Sequence, residues 1–125
     1  METADMTKDV ALHNFFSRFM TFYAATSVPD DVVFPYGTYD LVIGSFDDGE
    51  VSLTVNLWFF TESEKIPNAA AQNILDEIGR DGVRLPCDVG YVWIKRGPVQ
   101  SLPDETNDKI KRRYLNLTAE FLTPN

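Results

Sequence analysis

The chain nearly lacks the residues that build reactive or metal-holding sites. Its 125 residues include one cysteine, Cys87, and one histidine, His13. A lone thiol excludes an intramolecular disulfide, which suits a reducing cytoplasm. One of each residue is also too few for a zinc site. A nucleophilic Cys87 would need a base beside it, and His13 is far away in sequence. The thiol therefore reads as buried or half-buried and inert, and His13 as a boundary residue of a helix. Phosphate-binding glycine loops and a nucleophile elbow are absent. No acid–base constellation can be assembled from one His and scattered carboxylates, so the expectation is no enzyme, no cofactor and no metal. Long apolar runs are missing too, so no segment reads as a membrane span. METADMTKDV has no basic segment followed by an apolar run, so no secretory signal is expected, and Asn116-Leu117-Thr118 reads as a chance match to a glycosylation acceptor.

Basic residues are the minority charge. Lys and Arg number 11 against 19 Asp and Glu, a formal net charge of -8. That argues against a surface built to grip phosphates. What remains is an ordinary globular mixture, 44% hydrophobic and 24% charged. A chain of this size reads as a single domain, 1–125, able to bury roughly two thirds of its unfolded surface.

The periodicity predicts a helix over 8–24. There Leu12, Phe15, Phe16, Phe19, Phe22 and Tyr23 recur at three- and four-residue steps, with Thr7 as N-cap and Asp9 in the first turn. SVPDDVVFPYG is a connector. A first strand, 38–46, and a second, 50–61, form a hairpin about Asp47, Asp48 and Gly49. In the second, Val51, Leu53, Val55, Leu57 and Phe59 alternate with polar residues. Asp47, Asp48 and Glu50 lack the spacing of a calcium loop and read as a solvated turn. A second helix spans 66–79, with Pro67 in its first turn and Ala70, Ala71, Ile74, Leu75 and Ile78 on its apolar face. A third strand, 88–96, a polar loop, 97–108, and a fourth strand, 109–122, complete the chain. The expected fold class is α+β: a mainly antiparallel four-stranded sheet with two helices on one face, in the order α-β-β-α-β-β.

Aromatic placement points to a surface. The outer face of the second strand turns from Ser52, Thr54 and Asn56 to Trp58 and Phe60. The third strand is apolar on both faces, with Val89, Tyr91 and Trp93 on one and Val92 and Ile94 on the other. One helical layer covers one face of a sheet, so the surplus aromatics are candidate interface residues. Lys109, Lys111, Arg112 and Arg113 form a basic patch near Lys95 and Arg96, suited to an acidic protein neighbour or to a solvated strand end. The candidate interface is thus Trp58, Phe60, Trp93, Arg96, Lys111 and Arg113. To it are added the two projecting segments, the turn at Asp47 and Asp48 and the 97–108 loop with Gln100.

FPYGTYDLV at the first strand resembles the tail terminator (tail-completion) proteins of long-tailed bacteriophages and prophages. Their Pro-Tyr-x-Thr-Tyr run is matched by Pro35, Tyr36, Thr38 and Tyr39. The acidic turn, the LWFFT strand end before an amphipathic helix, the Trp-bearing strand and the basic start of the last strand are similar too. The resemblance extends from about Leu12 to Leu122. It implies a homo-oligomer, a hexameric ring seated on the tail tube protein. That ring ends tube polymerisation and offers the head-tail joining surface to a head completion or neck protein. It implies no catalysis, no cofactor and no membrane. The implied location is the virion's tail-head junction, with assembly in the host cytoplasm. DNA would pass through the ring without sequence-specific binding, and an acidic lumen would repel its phosphates. Another neck or head-closure protein, or a monomeric acidic module of the immunity or inhibitor kind, are the alternatives.

Overall fold

The computed structural model describes residues 7–42, 50–88, 90–103 and 107–122. The turn at Asp47 and Asp48 lies outside the described residues, as does Val89. The elements are α1 (Lys8–Phe16), β1 (Thr21–Ala24), β2 (Tyr36–Val42), β3 (Glu50–Phe60), α2 (Lys65–Ile78), β4 (Val83–Cys87), β5 (Gly90–Lys95), β6 (Val99–Pro103) and β7 (Ile110–Leu122).

The strands join in one sheet of order β1-β2-β3-β7-β5-β4, with β6 also on β7. The β1–β2 pair is parallel and the other pairs are antiparallel, so the sheet is mixed; it curls into a half-barrel. The expected four-stranded antiparallel sheet in the order α-β-β-α-β-β is therefore wrong. Among the described residues the order is α-β-β-β-α-β-β-β-β.

Each missed strand has a physical reason. The first helix ends at Phe16, not residue 24. After it, Arg18 and Phe19 donate to the carbonyls three residues back, at 3.3 and 3.0 Å, and tighten the chain into a turn. Thr21-Phe22-Tyr23 is β-branched and aromatic, and pairing with β2 decides its state. Strand β4 is short, carries Pro86 and lies at a sheet edge, where proline is tolerated. Strand β6 falls inside the supposed 97–108 loop, bounded by Pro98 and Pro103, yet Val99 to Pro103 pair with Leu115 to Lys111.

The other elements follow their residues. Thr7 caps α1, its Oγ1 accepting from the Val10 N–H at 3.2 Å. Gly79 ends α2 at φ 79°, a left-handed value that favours glycine. Both helices pack on the inner sheet face. Leu12, Phe15 and Phe16 of α1 and Ala71, Ile74 and Ile78 of α2 meet Leu53, Val55, Leu57, Val92, Ile94, Leu115 and Leu117. Ile74 and Ile78 are essentially fully buried, each contributing about 1.5–3 kcal/mol.

Gly37 lies in this core beside Phe22. A Cβ there would stand 2.5 Å from the Phe22 ring. Its absence lets the tip of that ring approach the backbone at 37 while the ring stacks on Phe16, with centroids 5.1 Å apart. Gly37→Val should destabilise the chain by about 1–3 kcal/mol. The double variant Gly37→Val, Phe22→Ala should be closer to wild type than the sum of its parts. Chemical denaturation of the three variants measures this, and simple additivity would contradict it.

Candidate functional site

Period-two alternation along β3 and β7 sends one residue set into the core and the next to the outer face. On that outer face Trp58 stacks on Tyr36, centroids 5.0 Å apart and planes 15° apart. Phe34 bridges to both ends of the group, 5.5 Å from Tyr36 and 6.0 Å from Phe60. The Arg112 guanidinium lies over the Trp58 ring at 5.2 Å and donates from Nε to Asn56 Oδ1 at 2.9 Å. Burial in this stack pushes the Tyr36 phenol above its ordinary pKa, and the Arg112 charge pulls partly against it. Trp58 is half-buried, whereas Phe60 is 55% exposed.

Trp93 stands elsewhere. It pairs with Glu120 on β7, while Trp58 pairs with Arg112, eight residues away along the strand. At ~3.3 Å per residue this separates the two tryptophans by roughly 26 Å. Arg84 and Lys95 both lie over the Trp93 ring, at 4.5 and 4.3 Å, and its Nε1 donates to the Asp81 carbonyl at 3.0 Å. Lys95 pairs with Glu120 at 3.0 Å. Exposed Arg80 and Arg96 complete an open basic groove about Trp93.

The supposed basic patch at the start of β7 is divided by the same alternation. Arg112 faces out. Arg113 faces in and is 3% exposed. Its guanidinium donates to Glu64 Oε1 at 2.6 Å, Asn68 Oδ1 at 2.9 Å and the Arg112 carbonyl at 3.1 Å. This ties the first turn of α2 to the sheet. Lys111 shares that inner side and donates from Nζ to the Asp108 carbonyl. Gln100 is exposed on β6 opposite Tyr114.

The sequence points to Trp58, Phe60 and Trp93 but not to their companions Phe34, Arg80 and Arg84, and it places Arg112 in a basic patch rather than beside Trp58. Phe34 and Tyr36 flank Pro35 at a spacing of two, a readable signal; Arg84 and Arg112 enter through strand pairing, and Arg80 through the turn after α2. Helix α1 does pack against β4, so the elements bearing His13 and Cys87 meet. The His13 ring nitrogens nevertheless face Ser17 Oγ at 3.4 Å and the Tyr39 hydroxyl at 3.5 Å. Among the described residues no three His, Cys, Asp or Glu side chains group as a metal site, and no helix is long and apolar enough to cross a membrane.

No family model matches the sequence, and no curated protein does. Solved structures match. One is a chain from a structure described as the virion of a native gene transfer agent particle, with a TM-score of 0.57 and 18% identity. The alignment covers 90% of this chain and 85% of that one. The likeness is one of fold.

Two tests follow from this surface. Phe60→Lys places its charge in water and should change stability by less than about 1 kcal/mol. Trp58→Ala removes a ring stack and a cation–π contact and should cost about 1–3 kcal/mol. Thermal and urea unfolding compare them, and an unfolded Phe60→Lys protein would place that residue in the core. For Arg113, the Ala variant should lose about 1–3 kcal/mol, because a cavity opens where the buried side chain stood, while Glu64 and Asn68, both exposed, stay solvated. Arg113→Met fills the volume and should recover part of the loss. Equal losses would show that packing contributes little there.

Proposed function

We propose that this chain is a non-enzymatic structural protein of a tailed virus or phage-like particle, acting as one folded unit over 1–125. In this reading copies assemble into a ring that caps the tail tube and carries the joining surface for the head. The observation that carries the proposal is the fold shared, over nine tenths of the chain, with a component of a virion particle. The sequence resemblance at Pro35, Tyr36, Thr38 and Tyr39 points the same way, and so does the outer aromatic face. A ring also gives the net charge of -8 a use, because acidic walls let DNA slide without sticking.

The tail tube is an open, repeating assembly. Its last ring looks like every ring before it, so growth ends only when a different subunit matches the ring below and offers nothing to the next. Deleting the gene should leave full heads beside unattached tails, many of them longer than normal. Electron microscopy of lysates reads this directly, and normal-length tails joined to heads would overturn the cap assignment.

A further inference from the structure

Apart from Arg112, which is held over Trp58, the exposed charges near the two edges of the sheet differ in sign. At the β4–β5 edge Arg80, Arg84, Lys95 and Arg96 line the groove about Trp93, with Asp81 the one carboxylate in that lining. Among the described residues, Arg80, Arg84 and Arg96 have no ion-pair partner. Tyr91, 48% exposed, lies on the same strand. The opposite edge has the reverse character. From residue 21 to residue 42, through β1, its connector and β2, no basic residue occurs, while Asp30, Asp31 and Asp40 are all exposed. Beside them Val33 is 76% exposed, and Phe60 flanks Phe34 at the end of that connector. Each edge therefore has exposed apolar side chains with a charged rim, and the rims are opposite in sign.

We infer that the basic groove about Trp93 receives the acidic β1–β2 edge of a second copy of this chain. The inference rests on the ring reading and says which surfaces close it. The two patches lie at opposite edges of one sheet. An interface between them is heterologous, so copies join head to tail and can close in a ring. Arg80, Arg84 and Arg96 meet Asp30 and Asp31 around a contact made by Tyr91 and Trp93 on one side and Val33 and Phe60 on the other. Complementary charge supplies register and rejects the reversed pairing, in which acid would face acid.

The test is an edge swap. One variant carries Arg84→Glu and Arg96→Glu, the other Asp30→Arg and Asp31→Arg. All four positions are exposed, and circular dichroism checks that both variants keep the fold. Each alone should self-associate about a hundredfold or more weakly than wild type by light scattering, because like charges now meet. Mixed in equal amounts they should assemble again, since acid edges then alternate with basic ones. Rising NaCl should weaken wild-type assembly, as screening predicts, and this needs no variant. Wild-type assembly that either variant retains would overturn this interface and leave the ring reading standing. Wild type that stays monomeric, alone and with tube protein, would overturn both. A groove variant that loses binding to a short DNA duplex but assembles normally would assign the groove to phosphates and overturn the inference.

Discussion

The ladder between β3 and β7 is the constraint on which the rest of the molecule depends. Eleven consecutive residue pairs, from Glu50 opposite Glu120 to Phe60 opposite Ile110, fix the register of the two longest strands. A slip of one residue would turn Leu53, Val55, Leu57, Leu115 and Leu117 to solvent, so the register cannot drift. With it fixed, every side chain on both strands is assigned a face. Arg113 is sent inward to hold α2, and Arg112 outward onto Trp58. The far side of β7 then receives β6 along one half and β5 along the other. The two tryptophans, on β3 and β5, consequently stand beside opposite ends of β7.

How much of this the residues announced differs by element. The alternation in β3 was readable because five apolar residues repeat without interruption, and α2 because Ala71, Ile74 and Ile78 follow the helical step. The run from Phe15 to Tyr23 supports both a helical and an extended reading; the choice lies with β2, which is distant in sequence. Strands β4 and β6 carry prolines and gain their order from an edge position that no local window reveals. The surface aromatics were legible as a surplus, but their grouping was not. Arg84 comes to Trp93, and Arg112 to Trp58, through cross-strand neighbours whose register only the assembled sheet defines.

The basic patch shows the same limit at the scale of single residues. Four cations within five positions look like one charged surface. On a strand, neighbours point opposite ways, so they divide between solvent and core. Arg113 then serves stability, and the surface it leaves behind is more acidic than composition suggests. The basic surface lies instead on and beside β4 and β5, beyond the helix that separates their residues from β3.

Phe22 and Gly37 have a consequence for substitution. The missing Cβ and the ring that fills its place form one shared volume spread over two positions fifteen residues apart. Neither can change size alone without crowding or a void. The two positions therefore answer to one steric constraint: a larger residue at 37 fits only beside a smaller one at 22.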